Sequence, residues 1–482
     1  MSLSSTSPAN PKIDLRNIKQ GPIVFALILG AFVSLLNETL LGNALPILMN
    51  EFNVTASTIQ WLTTAYMLVV GILVPITALL QQWFTTRQMF LSAMLTFFIG
   101  TLIAAISPSF FFLLIGRIIQ AFGTGLMLPL LMNTILTIYP SEKRGTAMGL
   151  VGLVMLLAPA IGPTLSGVIV DSMDWRWLFY IVIPLTILSI LIAFKYLQNV
   201  TELKRPKVDY LSIILSTLGF GGIVYSFSAS GDLGWSDIKV LSSIIIGVLS
   251  LILFSIRQLK IENPILDLRA FSFPMFTLPV VLMFIVMMTM FSTMALLPMF
   301  LQTVLLVTAF KSGLLMLPGS IISGIMGPIS GRLFDKYRAK AIIIPGIMLV
   351  TIGVFLFTTN NADTSIWKII VMHSLLMVGI IFVMTSQTFG LNQLTPNLYP
   401  HGTAIFNTLS QVAGAIGTAL GISKMSSGTS AYMEESLDPT NPVEKTNGLT
   451  AGFQDAFTMG LSLILIALIL SLFIKEQKKK AS

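Results

Sequence analysis

The chain has no cysteine in its 482 residues. Disulfides and thiolate metal sites are thereby excluded, and cysteine usage says nothing about redox compartment. Charge is scarce as well: Asp, Glu, Lys and Arg make up 10% of the residues, against about 25% in a soluble domain. A large soluble core would still need a charged surface, so size does not explain the deficit. The sequence also lacks His-Glu-x-x-His, Gly-x-Ser-x-Gly and Gly-x-x-x-x-Gly-Lys-Ser/Thr patterns. Hydrolase and nucleotide-driven chemistry therefore have no support. No inner connector is long enough for an ATPase domain, and neither an enzyme, a metal site nor a cofactor is expected.

What the chain has instead is apolar length. Hydrophobic residues make up 55% of it. Runs of about 20, the length that crosses a bilayer as a helix, recur throughout. They fall at about 22–46, 58–81, 88–107, 110–132, 146–170, 176–197, 210–229, 239–256, 274–302, 312–333, 340–358, 366–390, 402–424 and 454–474. Lipid admits only helices or closed barrels, and period-two alternation is absent. The expected fold class is an all-α integral membrane protein with fourteen transmembrane helices. The polar start, residues 1–20, precedes a first helix that is expected to be retained, because no small-residue cleavage site follows it.

Basic residues set the orientation. With the N-terminus inside the cell, inner segments hold 21 of the 28 Lys and Arg, outer loops hold six, and Arg117 lies within a span. The net charge of +8 thus reads as topology and not as a nucleic-acid surface. Both termini fall in the cytoplasm, which requires an even number of spans.

The two halves of the chain resemble each other. Pro75-Ile76-Thr77-Ala78 ends the second span and Pro328-Ile329-Ser330-Gly331 ends the tenth, 253 residues on. Gly145-Thr146-Ala147 opens the fifth and Gly402-Thr403-Ala404 the thirteenth, 257 residues on. Pro46 matches Pro298 at an offset of 252. The repeat pairs spans 1–6 with spans 9–14 and leaves spans 7 and 8 as an insertion. Parallel repeats of this kind mark transporters that bind substrate between the halves. The expected organisation is a tail (1–20), a six-helix bundle (21–197) and a basic linker with the inserted pair (198–270). A second bundle (271–474) and a basic tail (475–482) follow. The acidic stretch 425–453 reads as a polar outer loop, with a lid or hairpin over an outer vestibule as the alternative.

Several motifs resemble one family. Leu113-Leu114-Ile115-Gly116-Arg117 through Gly123 is similar to the fourth-helix motif of the major facilitator superfamily. Ala158-Pro159-Ala160-Ile161-Gly162-Pro163 through Gly167 resembles its antiporter motif. Trp175-Arg176-Trp177-Leu178-Phe179 resembles the opening of helix 6 in its fourteen-helix drug:proton antiporter branch, the EmrB/QacA type. Two departures stand out. Where that branch reads Leu-Asp-x-Thr in helix 1, this chain reads Leu36-Asn37-Glu38-Thr39, so the acid is displaced by one residue, or about 100° around the helix. The Gly…Asp…Gly-Arg signature after helix 2 is replaced by Ala78, Gln82 and Thr85.

The resemblance implies a plasma-membrane, bacterial, proton-coupled exporter of amphipathic drugs, acting by alternating access as a monomer among membrane lipids. Export of one endogenous metabolite or lipid is the alternative, and a non-transport membrane protein a more distant one. Lincosamides, quinolones and dye cations are the first substrates to test.

The residues expected to carry this activity are few. Glu38 is the one acid deep in a span and Arg117 the one base. Each costs about 2.5–3.5 kcal/mol at a helix centre, so each needs a partner or a wet cavity. Both lie roughly 10–12 Å from the outer end of their span at 1.5 Å per residue. Glu38 is expected to carry the coupled proton and Arg117 to tune it, with a static ion pair as the alternative. His373, at an offset of 256 from Arg117, is expected to face the same cavity as a second titratable group. Asn37, Glu38, Met287, Met290 and Phe291 are the expected substrate-cavity residues, since Met and aromatic surfaces adapt to varied ligands. Ala158, Pro159, Gly162, Pro163 and Gly167 form the antiporter motif, and Gly417 and Gly421 are its expected counterpart. The resemblance makes Gly331, Arg332, Asp335 and Arg338 a cytoplasmic gate.

Overall fold

A computed structural model describes residues 20–139, 157–158, 161–200, 209–262, 264–395, 397–436, 438 and 440–475. Among these the chain is helical, with no strand. The first span is α1 (Gln20–Leu40), a 3-10 turn at Gly42–Ala44, and α2 (Leu45–Phe52). Pro46 therefore opens a helix and does not end the span: it sits in the first turn of α2, where its missing N–H costs nothing.

The N-terminal half continues with α3 (Ala56–Ile59), α4 (Trp61–Trp83), α5 (Thr86–Ala105) and α6 (Phe110–Ile138). Then come α7 (residues 161–172), α8 (Trp177–Tyr180) and α9 (Val182–Tyr196). The inserted pair is α10 (Tyr210–Leu233) and α11 (Ile238–Lys260). The C-terminal half has α12 (Pro274–Thr303), α13 (Ala309–Lys336), α14 (Ala339–Thr358), α15 (Ile366–Leu391), α16 (Tyr399–Glu435) and α17 (Pro442–Ser471).

Thirteen segments among the described residues are long and apolar enough to cross a membrane. They match thirteen of the fourteen expected spans. The fifth, 146–170, is described only at its outer end, because residues 140–156 lie outside the described set. So do Pro159, the linker residues 201–208, and most of both tails.

Packing follows the repeat. In the N-terminal half α5 packs on α6, α4 on α6 and α1 on α9; in the C-terminal half α14 packs on α15, α13 on α15 and α12 on α17. These are the same pairs carried over by the repeat. No hydrophobic drive brings helices together in lipid, so small residues at the contacts carry the association. Gly417 and Gly421 of α16 are the clearest case. A Cβ on Gly417 would stand 2.2 Å from the Met288 carbonyl, and one on Gly421 2.1 Å from the Ser292 hydroxyl. The backbone of α16 lies directly against α12.

One expectation changes. Residues 425–453 are not a loop. α16 runs on to Glu435 and α17 begins at Pro442, leaving a short connection. The polar composition was misleading because the two helices extend each other by glycine contact: a Cβ on Gly452 would meet the Met425 carbonyl at 2.3 Å. Lys424–Asp455 at 3.1 Å and the Tyr432 hydroxyl donating to Glu444 add polar ties along the hairpin.

The inserted pair is fastened at both ends. On the inner side Asp209 caps α10 and takes Arg257 of α11 at 2.8 Å. Burial alone would raise the Asp209 carboxyl, but hydrogen bonds from Arg257 and Ser212 prevail and hold it below its usual range. Its contribution is therefore present at neutral pH and is lost as pH falls through the depressed value. On the outer side, Gln60 Nε2 donates to Ser228 Oγ of α10 at 3.0 Å. The Ser230 hydroxyl of α10 and the Ser423 hydroxyl of α16 lie 3.1 Å apart. α10 thus bridges the N-terminal and C-terminal halves.

Candidate functional site

The deep base is held by neutral groups. Arg117, on α6, is completely buried. Its Nη1 donates to Asn37 Oδ1 at 2.6 Å, to the Asn37 carbonyl at 3.3 Å and to Gln120 Oε1 at 3.1 Å. Its Nε donates to the Leu62 carbonyl at 3.2 Å. The guanidinium lies over the Tyr66 ring, 4.0 Å from its centroid, a stacked cation–π contact. Gln120 is steadied by Thr101, and Tyr66 by Thr124 at 2.6 Å. One group ties α1, α4 and α6 together. Only Nη2 has no hydrogen-bond partner among the described residues.

The displaced acid explains this arrangement. Asn37 stands where the resemblance expects Asp, and it is Asn37 that receives Arg117. Asn37 is thus engaged within its own half and not presented to a cavity. Glu38, one residue on, is buried at 7% exposure and faces away. Its side chain meets Gln411 of α16, while Arg117 lies within electrostatic range. Gln411 is itself lodged between the halves, its Cβ 3.2 Å from where a Cβ on Gly71 of α4 would stand. The carboxyl therefore sits on the contact between the two bundles.

The C-terminal half supplies Phe291 close by: Gly414 of α16 packs between Phe291 and Met67 of α4. Met290 and Phe291 are half-buried, whereas Met287 is in the C-terminal core. A small cleft opens beside Met288, Thr289, Ser292, Gly417 and Phe457. It is lined wholly by the C-terminal half.

His373 is elsewhere. It is buried in α15, and its ring lies against Gly319 of α13, where a Cβ would stand 2.4 Å from Nδ1. Neither ring nitrogen has a hydrogen-bond partner among the described residues. The two positions are the repeat counterparts of Arg117 and Tyr66, so the same pair of sites meets in each half: guanidinium on phenol in one, imidazole on glycine in the other. The structure does not bring His373 to Glu38.

The antiporter segment closes the outer side. A Cβ on Gly162 would clash with Thr39 of α1, and one on Gly167 would stand 2.4 Å from the Ala309 carbonyl of α13. Ala158 is buried in the N-terminal core. Asn43, in the 3-10 turn after α1, is the centre of the seam. Its Nδ2 donates to the Pro163 carbonyl at 2.7 Å, its carbonyl accepts from Gln302 of α12 at 3.1 Å, and its Oδ1 accepts from Ser312 of α13 at 3.4 Å. The Thr164 hydroxyl donates to the Gly313 carbonyl at 3.1 Å. Three helices from both halves converge on one residue. Sequence reading missed Asn43 because a neutral polar residue near a span end is unremarkable without its partners.

The seam gives a direct expectation. A thiol placed at Ser166, buried beside the seam, is shielded from an impermeant reagent added outside. Asn43→Leu removes the side-chain donor to Pro163 and the side-chain acceptor for Ser312, leaving only the backbone bond from Gln302, and labelling of Ser166→Cys is expected to rise severalfold. Unchanged labelling would mean that Asn43 does not hold the outer side shut. The cysteine-free chain makes the measurement clean.

Next to helix 6, Trp175 Nε1 donates to Glu51, and Arg176 spans Glu51 at 3.3 Å, Asp174 at 3.3 Å and the Ser107 carbonyl at 3.1 Å. This cluster pins α2 to the outer ends of α5 and α8. At the inner end of α13, Gly331 has open space around it and Arg332 is exposed. Arg338 caps α14. The Asp335 side chain lies outside the described set.

The family described as Major Facilitator Superfamily matches residues 27–418. The lincomycin resistance protein LmrB of Listeria monocytogenes is 50% identical over 96% of this chain and 98% of its own length. LmrB of Bacillus subtilis is 50% identical over 99% of both chains. The multidrug transporter protein MdtP of Bacillus subtilis is 28% identical over 84% of this chain and 75% of its own. Among solved structures, a POT family transporter in complex with 5-aminolevulinic acid superposes with a TM-score of 0.70, at 14% identity, covering 94% of this chain and 96% of that one.

Proposed function

We propose that this chain, which belongs to the Major Facilitator Superfamily, is a drug efflux transporter that exchanges protons for amphipathic drugs of the lincosamide kind. It is a multi-pass bacterial membrane transporter and not an enzyme. Full-length similarity to two proteins named for lincomycin resistance supports the substrate class. The pairing of the antiporter motif with the Trp175-Arg176-Trp177 opening supports the fourteen-helix EmrB/QacA-type branch.

One observation carries the coupling reading: the sole acid deep in a span lies buried on the contact between the halves, outside any ion pair among the described residues. Arg117 keeps its bound donors for neutral acceptors, so Glu38 is not locked as a permanent carboxylate. A buried carboxyl without a fixed counter-ion can gain and lose a proton as its surroundings change. Rocking the halves about Glu38 would change those surroundings, which is what antiport requires. Arg117 fixes the helix that carries the acid and lends it a positive field. Phe291, Met290 and Met67 offer an adaptable apolar wall on the same contact.

Expression in a host stripped of its own drug exporters tests the reading. Lincomycin tolerance is expected to rise at least fourfold, and the gain to vanish when a protonophore collapses the gradient. Unaltered tolerance to lincosamides, quinolones and cationic dyes alike would overturn it.

A further inference from the structure

We propose that Gln411 is the residue through which the C-terminal half reads whether Glu38 carries a proton. This rests on the coupling reading above and names the part of the other half that responds.

The argument is one of donors and acceptors. An ionised carboxyl can only accept hydrogen bonds, whereas a protonated one also donates. Among the buried polar atoms with no hydrogen-bond partner among the described residues, two belong to the groups that act on Glu38: Arg117 Nη2, a donor in the N-terminal half, and Gln411 Oε1, an acceptor in the C-terminal half. Glu38 interacts with both residues, electrostatically with Arg117 and through its side chain with Gln411. Ionised, it can accept from the guanidinium of its own half and from the Gln411 amide nitrogen. Protonated, it needs an acceptor for its O–H, and the guanidinium offers none. Gln411 offers one. An amide serves either state, through its NH₂ or its carbonyl, while a guanidinium serves only the ionised one. Protonation thus moves the carboxyl's bonding from Arg117 within the half to Gln411 across the contact.

No further titratable group competes. The titratable groups facing Glu38 are Arg117 from α6 and, beyond it, Tyr66 from α4. α12 carries no charged residue, α4 none, and α1 only Glu38. On α16 the nearest ionisable residues, His401 and Lys424, are several turns from Gln411. Gln411 is also mechanically placed to respond, because its Cβ abuts Gly71. A change in its side-chain bonding is felt where α16 meets α4.

The test needs no drug. Spin labels at Phe111→Cys and Trp367→Cys occupy exposed, repeat-related sites at the outer ends of α6 and α15. Their separation is followed against pH in the purified full-length chain. With no other change, the distance distribution is expected to switch between two populations as pH is varied. With Glu38→Gln added, one population is expected at every pH. With Gln411→Leu, the switch is expected to shift its midpoint by one pH unit or more, a tenfold change in proton affinity, or to disappear. Gln411→Asn, which keeps the amide but withdraws it by one methylene, is expected to act in the same direction and carries the test if the Leu variant does not fold. A normal switch in both Gln411 variants, with Glu38→Gln locked, would overturn this proposal alone. A normal switch in Glu38→Gln would overturn the coupling reading beneath it. The absence of any pH-dependent switch in the parent would overturn both.

Discussion

Glu38→Gln is expected to abolish gradient-driven transport, with a loss of at least tenfold in proteoliposomes carrying an imposed pH difference. The amide keeps the size and the hydrogen-bonding capacity of the carboxyl but holds no exchangeable charge. Exchange of labelled for unlabelled drug across the membrane, which needs the halves to rock but no net proton movement, is expected to persist. That split separates coupling from folding and from binding. Full gradient-driven activity in the variant would remove Glu38 from the coupling role. Loss of exchange and gradient-driven transport together would make the carboxyl a structural group, the role of a static tie between α1 and its neighbours. The geometry favours the split, because the ties between α1 and α6 are made by Asn37 and not by Glu38.

Arg117→Ala is expected to produce the largest loss of stability of any single change in the N-terminal half. It strands Asn37 Oδ1 and Gln120 Oε1 without their donor, takes a second bond from the Leu62 carbonyl, and removes the cation from the Tyr66 face. Each stranded buried acceptor costs about 1–3 kcal/mol, and the cavity left by a long side chain adds to that. A total of about 4 kcal/mol corresponds to a fall of roughly 10 °C in apparent unfolding temperature in detergent. Arg117→Lys is expected to recover only part of the loss, since one ammonium cannot reproduce the planar fork or the stacking. An unfolding temperature unchanged in Arg117→Ala would mean that the network contributes nothing to holding α1, α4 and α6 together.

Much of the plan of this molecule was legible because a bilayer is a severe solvent. Apolar length revealed the spans, and the scarcity of charge made Glu38 and Arg117 conspicuous. The repeat was legible for the same reason, since short matched motifs survive in a background of interchangeable apolar residues. The relation between the two charged residues was not legible. Equal depth suggested a pair, yet depth does not fix which way a side chain points around its helix. The one-residue displacement of the acid was visible in Asn37-Glu38, and its consequence depended on where α16 lies. His373 failed in the same way: the offset found its counterpart position correctly, but a position equivalent to Arg117 faces the helix equivalent to α4, not the contact between halves. The stretch 425–453 misled because polarity was taken for a loop, whereas long helices outside the bilayer are free to be polar. Gln411 and Asn43 carry no signal of their own, since their importance lies in residues more than a hundred positions away.

The bridging of the halves by α10 makes the molecule mechanically lopsided. The contact between α4 and α16 is crossed by a third helix, bonded to the N-terminal half at Gln60 and to the C-terminal half at Ser423. At the opposite contact, where α7 meets α13, the described polar ties are the amide and hydroxyl bonds around Asn43 and Thr164. Separating the halves symmetrically would break both sets of bonds. Pivoting about the α10 side breaks only one. The outer mouth should therefore open as a wedge whose apex is the inserted pair, with its wide edge toward the lipid beside α7 and α13. An amphipathic molecule leaving through that edge would meet the bilayer before it met bulk water.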